Sequence, residues 1–460
     1  MSKATVAAAT RTDGEHRAQL MRAVIASTIG TTIEWYDFFL YSTVTGLVFA
    51  KLYFPKSDPY VGTLEAFTIY AVGFAARPVG AAIFGHYGDR IGRKATLIAT
   101  LILMGLATGA VAFVPTYEHI GIWGAVILTV LRFFQGIGVG GEWAGSVLLS
   151  MEWARTNKHR GFVASWPQFG VPCGLFLANL AVLAFSTLSG SDFLVWGWRV
   201  PFLLSLLLTG IGLYIRLSIL DTPTFAKLVA EDRIERTPVL EVIRRQPREI
   251  LLSACARIGE QAPFYVFTAF IFTYGTTVLK VPRDQLLMAI LAAAALSFFT
   301  IPLAGHLSDR FGRKRVYLAG AIAMGVYGFV YFALLDSGVS ALIFLAIVLS
   351  IVPHNVMYGP QAAMIAESFT PRLRYSGSSI GYHLASLVAG GPAPLIATAL
   401  LAQHHTGFAI AWYIAVCALA SVIGTIWLTD YTNRDIAEEY DHGQPHVDDD
   451  LGPSPARHGV

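Results

Sequence analysis

The sequence predicts an all-α integral membrane protein with twelve spanning helices in two six-helix halves and both termini in the cytoplasm. The prediction depends on an apolar composition, long apolar runs and an uneven distribution of Lys and Arg. Apolar and aromatic residues make up 55% of the 460 residues and charged residues only 14%, whereas soluble proteins carry about 25% charged residues. A mean hydropathy of +0.56 over the whole chain excludes a soluble enzyme, a fibrous protein and a largely disordered protein.

Apolar runs define the predicted spanning helices. A spanning helix needs about 20 mostly apolar residues. The runs are continuously apolar, as in 99–114, whereas the strands of a membrane barrel alternate with period two. The predicted spans are 22–49, 62–84, 95–115, 121–150, 162–187, 198–217, 250–279, 285–306, 316–335, 340–367, 377–402 and 408–429.

Lys and Arg set the predicted orientation, because cytoplasmic segments of membrane proteins carry an excess of both. If the N-terminus lies inside, few basic residues fall in the outer loops; these are Lys51, Lys56, Arg199, Lys280 and Arg283. Residues 1–21 form a polar cytoplasmic tail that has no apolar core and is therefore not a cleavable signal peptide. The halves are 22–217 and 250–429, joined by a charged cytoplasmic linker at 218–249, and 430–460 is expected to be a disordered cytoplasmic tail.

Three other features of the sequence predict no binding or catalytic site. Net charge is only +3, so no nucleic-acid partner is expected. The three cysteines, Cys173, Cys255 and Cys417, are far apart in apolar runs, and neither a disulfide framework nor a metal site is predicted. Gly136, Gly138 and Gly141 match the dinucleotide-binding pattern, but no strand precedes them and they lie within a span, where small residues allow close helix packing. No catalytic residues are predicted.

An internal repeat relates the two halves. GHYGDRIGRK at 85–94 returns as GHLSDRFGRK at 305–314, each following the second predicted span of its half. A second, weaker repeat places Glu152 and Arg160 after the fourth span, and Glu367 and Arg374 after the tenth. Two halves with the same topology form a parallel repeat, whose pseudo-twofold axis runs along the membrane normal.

The chain resembles the major facilitator superfamily from about 21 to 431, and GDRIGRK at 88–94 is the most specific motif. Within that superfamily it is similar to the metabolite:proton symporters through EWYDFFLY (34–41), ARPVGAAIFGHYGDRIGRK (76–94), RFFQGIGVGGEWAG (132–145) and WGWRVPF (196–202). The resemblance implies the major facilitator fold in a bacterial inner (plasma) membrane. It implies a functional monomer that takes up a small carboxylate or zwitterion, with the proton as coupling ion and no other cofactor.

Ionisable residues within spans are costly and are functional candidates by default. Glu34 and Asp37 share a helical face in the first span, and neighbouring carboxylates disfavour joint ionisation. Arg132 begins a segment similar to the RxxQG pattern that is linked to proton coupling, and Glu142 lies on the same span. These four are the predicted proton-coupling residues. The alternative is that the acids pair with Arg77 or another buried Arg and only hold helices together.

A second set of polar residues is expected to line a substrate cavity. An Arg facing a cavity can clamp a carboxylate with two parallel hydrogen bonds, and two prolines in the tenth span expose backbone groups around a polar cluster. Arg257 could instead be neutralised by Glu260, and His354 could be a hydrogen-bonded interior residue. The predicted cavity residues are Tyr36, Arg77, Gln135, Gln168, Arg257, Glu260, Gln261, Tyr265, His354, Asn355 and Tyr358.

By resemblance, the repeated loops form a conformational latch that closes the cytoplasmic side through charge networks with two glutamates. Its predicted members are Gly85, Asp89, Arg90, Gly92, Arg93, Lys94, Glu152, Arg160, Asp309, Arg310, Arg313, Glu367 and Arg374. Substrate uptake coupled to protons is the leading hypothesis. A proton-coupled exporter of metabolites or drugs is the alternative. An enzyme or sensor is disfavoured, because the outer loops are too short for a receptor domain.

Overall fold

The computed structural model describes residues 13–57, 59–154, 159–231, 233–434 and 436, and the secondary structure of this part of the chain is helical. The predicted disorder of 430–460 falls almost entirely outside the described residues, as do the first twelve residues of the predicted N-terminal tail. The first helix begins at Asp13, whereas the predicted span begins at residue 22. The polar residues 13–21 are helical and continue directly into the span.

The first half contains six long helices. The first helix is prolonged by a π-helical turn, Thr45–Phe49, and by Ala50–Tyr53. The long helices are α1 (Asp13–Val44), α2 (Pro59–Ile91), α3 (Arg93–Val111), α4 (Trp123–Met151), α5 (Arg160–Ser189) and α6 (Val200–Leu217).

The second half repeats this order after two short helices in the predicted linker, Pro223–Ala230 and Pro238–Arg245. Its seventh and eleventh helices also pass through π-helical turns, and both continue beyond them, to Thr277 and His404. The long helices are α7 (Pro247–Tyr265), α8 (Arg283–Phe311), α9 (Arg313–Leu335), α10 (Ser340–Glu367), α11 (Arg374–Ala385) and α12 (Gly407–Trp427).

Ten helices in the described part of the chain are long and apolar enough to cross a membrane. The predicted spans 22–49 and 250–279 fall on α1 and α7, which are long but do not meet the same criterion of apolarity. Both carry buried polar and ionisable side chains, which lower their mean hydropathy. The all-helical membrane fold is therefore confirmed, whereas the count of twelve spans and the position of both termini stay predictions.

Helix packing follows the internal repeat. Within the halves, α1 packs on α5 and α2 on α4, as α7 packs on α11 and α8 on α10. Between the halves, α2 packs on α11 and α5 on α8. These two contacts are equivalent under the repeat, so the boundary between the halves has the same pseudo-twofold relationship.

The repeated motif forms the tight joint between two antiparallel helices in each half. Gly92 is the single residue between α2 and α3, and its φ of 105° is a conformation that favours glycine. Gly312 takes the same place between α8 and α9 with φ 96°. Lys94 donates to the carbonyls of Leu217 and Ile219 at the end of α6. This explains why the motif ends in a cation.

Candidate functional site

A narrow cavity lies between the two halves. Its walls come from α1 and α5 of the first half and from α7 and α10 of the second. The lining residues are Trp35, Val171, Arg257, Glu260, Gln261, Phe264, Tyr265, His354 and Tyr358. A more apolar cavity adjoins it and shares Val171, Phe264, His354 and Tyr358.

Arg257 is the centre of the polar wall on α7. Its Nη1 donates to Oε1 of Gln261 at 2.6 Å, to the carbonyl of Tyr382 at 2.9 Å and to Oγ of Ser386 at 2.7 Å. Its Nε lies 3.6 Å from Oε2 of Glu260. Arg257 is thus held by three hydrogen bonds and paired loosely with the acid one turn away.

Glu260 connects α7 to α10. Its Oε1 lies 2.8 Å from Nε2 of His354, and its Oε2 accepts from Nε2 of Gln361 at 3.2 Å. The other ring nitrogen of His354 lies 2.9 Å from Oδ1 of Asn355, whose amide donates to the hydroxyl of Thr300. The His354 imidazole is therefore a hydrogen-bonded bridge on the cavity wall, which agrees with the predicted interior role and leaves a relay role open.

On the first half, four buried side chains form a hydrogen-bonded chain from α1 to α4. Thr108 on α3 donates to Oδ2 of Asp37 at 2.9 Å. Gln135 donates through Nε2 to the Thr108 hydroxyl at 2.7 Å and accepts from Arg132 through Oε1. Two predicted coupling residues and a predicted cavity residue are thus brought together, and Thr108 is the member that the sequence did not indicate.

The two arginines beside this chain contact aromatic rings. Arg132 lies 4.4 Å from the ring centroid of Tyr41, and Arg77 lies 4.6 Å from that of Phe74 and 4.9 Å from that of Phe38. In the described part of the chain, neither guanidinium has a carboxylate within ion-pair distance. The predicted pairing of Glu34 or Asp37 with Arg77 is therefore not observed.

Two predicted residues on α1 have different surroundings. Glu34 is 3% exposed, and its Oε2 has no hydrogen-bond partner among the described residues. Tyr36 donates its hydroxyl to the carbonyl of Pro201 on α6 at 2.7 Å and does not line the cavity. Tyr36 thus joins α1 to α6 and lies apart from the predicted substrate residues.

Glu142 forms a buried ion pair that sequence reasoning missed. Arg216 on α6 donates to both Glu142 carboxylate oxygens, and Thr100 and Ser146 donate to the same carboxylate at 3.0 and 2.9 Å. Arg216 lies near the end of a predicted span, where a basic residue is expected at the cytoplasmic surface. Only 1% of the residue is exposed, however. Glu142 is therefore fully hydrogen-bonded and lies outside the chain that contains Asp37.

An aromatic stack crosses between the halves beside this polar wall. The rings of Trp143 on α4 and Tyr382 on α11 lie 3.6 Å apart at an interplanar angle of 14°. The Arg257 guanidinium lies 3.3 Å from the Tyr382 centroid, so it must cover the opposite ring face. Gln168 accepts from Trp143 Nε1 at 2.9 Å and donates to the carbonyl of Tyr358 at 3.3 Å, which makes this predicted cavity residue a further bridge between the halves.

The aspartates of the repeated motif cap helices of the opposite half. Asp89 accepts from the backbone N–H of Ser376 at 2.9 Å, at the start of α11. Asp309 accepts from the backbone N–H groups of Gly161 and Phe162, both at 2.8 Å, at the start of α5. A carboxylate at a helix N-terminus satisfies free N–H groups and complements the helix dipole.

Ion pairs surround the first cap. Arg93 lies 3.5 Å from both Asp89 and Glu152, and Glu152 lies 3.5 Å from Arg374 of the other half. Gly85 lets the helices approach, because a side chain there would meet the Ser376 backbone at 2.8 Å.

The second cap has the equivalent ion pairs. Arg313 lies 3.3 Å from Asp309 and 2.9 Å from Glu367, and Glu367 lies 2.8 Å from Arg160 of the other half. Both glutamates of the predicted conformational latch thus bridge the two halves.

Three charged residues of the predicted latch lie outside these clusters. Arg90 and Arg310 are exposed, because each is the residue after the capping aspartate and therefore points to another helix face. Arg90 lies 3.2 Å from Nε2 of His86. Lys94 caps α6 within its own half.

Two repeated helical halves, a polar cavity between them and cross-half contacts on one side define a multi-pass membrane transporter. Comparison with known proteins identifies its family. Residues 22–251 match the family model described as "Sugar (and other) transporter", and residues 277–446 match "Major Facilitator Superfamily".

Curated relatives cover most of the chain. The shikimate transporter of Escherichia coli (strain K12) is 38% identical over 87% of this chain and 92% of its own length. The inner membrane metabolite transport protein YhjE of the same organism is 36% identical over 88% of this chain and 93% of its own. Its proline/betaine transporter is 32% identical over 90% of this chain and 85% of its own.

The fold is also that of a solved structure, the proton:xylose symporter XylE bound to 6-bromo-6-deoxy-D-glucose. The TM-score is 0.77 at 17% identity, over 92% of this chain and 98% of that one. The chain belongs to the major facilitator superfamily, as its repeated motif indicates. The relatives are metabolite transporters of the bacterial inner membrane and not enzymes.

Proposed function

We propose that this protein is a proton-coupled symporter that takes up a small organic acid or zwitterion by alternating access. In this proposal the chain spans the membrane twelve times with both termini in the cytoplasm. It acts as a monomer, and the proton is the coupling ion with no further cofactor. The relatives named for shikimate and for proline/betaine support a small carboxylated substrate, and XylE supports proton symport within the fold.

The observation that carries the proposal is the burial of charged side chains in both halves, with charged residues of the second half on the cavity wall. Asp37 and Arg132 are joined through Thr108 and Gln135 on the first half, while Arg257 lines the cavity on the second. Charges buried at membrane depth are costly and persist where they bind ions or substrate. A helical scaffold alone does not require them.

Asp37 is the proposed proton carrier. Thr108 donates to Oδ2, so a proton can bind at Oδ1 while Oδ2 keeps that hydrogen bond. A change of charge on Asp37 would alter the hydrogen bonding of Thr108 and Gln135 and thereby the position of Arg132. Glu34, one turn earlier on α1, is the second proposed carboxylate. Glu142 is proposed to be structural, since Arg216 neutralises it.

Alternating access requires two states of the contacts between the halves. The conformational latch and the Trp143–Tyr382 stack hold the halves together on one side. Release of these contacts, balanced by closure on the other side, would expose the cavity to the cytoplasm. The repeat makes a rocking motion of one half against the other the simplest such change.

Uptake into proteoliposomes tests this proposal. Labelled shikimate, α-ketoglutarate, proline and betaine are offered with and without an inward proton gradient. We expect gradient-driven accumulation of at least one compound, its collapse with a protonophore, and its loss in Asp37→Asn. The matched control is Asp192→Asn, an exposed acid between α5 and α6. Gradient-driven efflux without uptake would instead identify an exporter.

A further inference from the structure

We infer that Glu260 on α7 and His354 on α10 form a second proton-coupling site, which holds one proton between the two side chains. This inference rests on the proposed symport and adds a site in the second half to the one at Asp37. Both side chains line the cavity, and each residue is 3% exposed. Oε1 of Glu260 lies 2.8 Å from Nε2 of His354, and the hydrogen bonds around the pair determine where a proton can reside.

Asn355 fixes the tautomer of His354. The hydroxyls of Ser297 and Thr300 donate to backbone carbonyls one turn earlier on α8, so each can only accept a further hydrogen bond. Both accept from the amide nitrogen of Asn355, at 2.9 and 2.6 Å. The amide oxygen of Asn355 therefore faces Nδ1 of His354 at 2.9 Å, and Nδ1 must carry a hydrogen in order to donate to it.

Tyr317 and Gln361 orient the carboxyl group of Glu260 in a similar way. The Tyr317 hydroxyl donates to the carbonyl of Ala256 at 2.8 Å, so it accepts from the amide nitrogen of Gln361 at 3.0 Å. The same nitrogen donates to Oε2 of Glu260 at 3.2 Å. Because Oε2 is an acceptor, Oε1 is the oxygen that faces His354 and can take a proton.

These constraints leave one exchangeable proton between Oε1 of Glu260 and Nε2 of His354. With Nδ1 protonated, Nε2 is either a donor, as in the imidazolium, or a bare acceptor. A bare nitrogen beside an ionised carboxylate would bring two acceptors to 2.8 Å, which is a repulsive contact. The contact therefore requires a proton on one of the two atoms. Loss of that proton removes the hydrogen bond that joins α7 to α10.

Arg257 connects this proton to the substrate. Its Nε lies 3.6 Å from Oε2 of Glu260, and its side chain lines the same cavity. While the pair holds its proton, Glu260 and His354 together carry no net charge, so the positive charge of Arg257 is available to a substrate carboxylate. After proton loss, the ionised Glu260 neutralises Arg257 and competes with the substrate. Proton and carboxylate are therefore expected to bind together and to leave together.

Other titratable groups face the pair or its arginine from the helices packed around them. In the described part of the chain these are Tyr265 on α7, Tyr317 on α9, Tyr358 on α10 and Tyr382 on α11, with Glu34 and His383 beside Arg257. The tyrosines are neutral below about pH 10. A variant of Glu260 leaves all these groups in place, so its comparison with the native protein isolates the pair.

Glu260→Gln separates a proton site from a purely structural contact. The carboxamide can accept from Gln361 and donate to a bare Nε2, so it keeps the bridge and removes the proton. Full-length protein with isotope-labelled histidine is studied in lipid bilayers by solid-state nitrogen NMR, and the His354 signals are assigned by their loss in His354→Gln.

We expect Nε2 of His354 in the native protein to change to the signal of a bare nitrogen as pH rises, while Nδ1 stays protonated. In Glu260→Gln neither signal should change. A native Nε2 signal that does not respond to pH would overturn the inference without reference to any variant.

Coupling is tested in proteoliposomes with shikimate, α-ketoglutarate, proline and betaine. For a compound that the native protein accumulates, exchange of labelled for unlabelled compound needs no proton release and should persist in Glu260→Gln within a few-fold of the native rate. Net uptake should carry about one proton fewer per substrate, because the carboxamide has no proton to release. Glu118→Gln changes an exposed acid between α3 and α4 and is the matched control. Loss of exchange, or an unchanged proton ratio, would overturn the inference.

The two proposals can fail separately. A native protein that accumulates a compound without moving protons would overturn the proposed symport before any variant is compared. A native protein that moves protons in a ratio that Glu260→Gln leaves unchanged would overturn only the second site.

Discussion

Trp143 and Tyr382 stack face to face across the boundary between the two halves, with ring centroids 3.6 Å apart. Tyr382 also carries the Arg257 guanidinium on its other face. A residue of the proposed substrate site is therefore in direct contact with the aromatic pair that holds the halves together. Binding of a carboxylate to Arg257 would change that contact, which gives a physical route from substrate to conformational change.

The first prediction concerns this stack. Trp143→Ala should favour the state open to the cytoplasm, because an aromatic pair contributes about 0.5–1.5 kcal/mol beyond its buried area. That loss corresponds to a roughly two- to ten-fold shift between states. The measurement is the rate at which a cavity cysteine, Val171→Cys, reacts with a reagent added from the cytoplasmic side, after replacement of the native cysteines.

Trp143→Phe is the control for that prediction, because it keeps a ring for Tyr382 to stack on. Its reaction rate should stay near that of the parent protein. Equal rates for Trp143→Ala and the parent would show that the stack does not hold the cavity closed.

The second prediction concerns the conformational latch. Asp89→Ala and Asp309→Ala should destabilise the closed cytoplasmic side to a similar extent, because each aspartate caps a helix of the opposite half. Loss of such a cap costs about 0.5–2 kcal/mol. Distances between spin labels across the cytoplasmic face should lengthen in both variants.

Arg90→Ala and Arg310→Ala are the matched controls, since both residues belong to the motif and lie exposed outside the clusters. Their distance distributions should not change. A strong effect of only one aspartate would contradict the pseudo-twofold equivalence of the caps.

Sequence reasoning reached the helical membrane fold and most of the residues that form the caps and ion pairs between the halves, because apolar runs and a repeated motif are local signals. It could not reveal Arg216, which lies at the end of a span, where a basic residue is expected on topological grounds alone. Its pairing with Glu142 depends on the packing of α3 against both α4 and α6. Tyr382 was missed for a related reason. Its role comes from contacts across the halves, for which one sequence has no signal.

The third prediction separates structure from coupling at Glu142. Glu142→Gln should lower thermal stability strongly, because breaking a buried ion pair costs about 3–5 kcal/mol through the charge left on Arg216. The double variant Glu142→Gln, Arg216→Met should regain most of that stability. If the double variant also transports with proton coupling, Glu142 is structural. A stable double variant without coupling would restore Glu142 to the proton pathway.

The fourth prediction is a pH dependence at Asp221, which follows α6. Asp221 accepts from the backbone N–H groups of Arg93 and Lys94 at 3.2 and 3.4 Å and so caps α3. Burial raises the pKa of its carboxyl above the ordinary value of 3.8, against the lowering effect of these hydrogen bonds and Arg93. A raised carboxyl pKa means that the folded protein binds this proton more tightly than the unfolded chain.

As pH rises from 3.8 through the raised pKa, the native protein should lose stability relative to Asp221→Asn, and the difference should be constant above that interval. Unfolding midpoints of both proteins across this range provide the measurement. A native protein that instead gained stability relative to the variant would show that the hydrogen bonds outweigh burial.

Proton movement that accompanies substrate is the most direct test of the central claim. Proteoliposomes carry a pH-sensitive dye inside, and a compound that the uptake assay identifies as substrate is added outside with no imposed gradient. The account predicts internal acidification that requires substrate, scales with its uptake, and disappears in Asp37→Asn while binding is retained. Substrate uptake without acidification, or acidification that persists in Asp37→Asn, would contradict proton symport through the Asp37 chain.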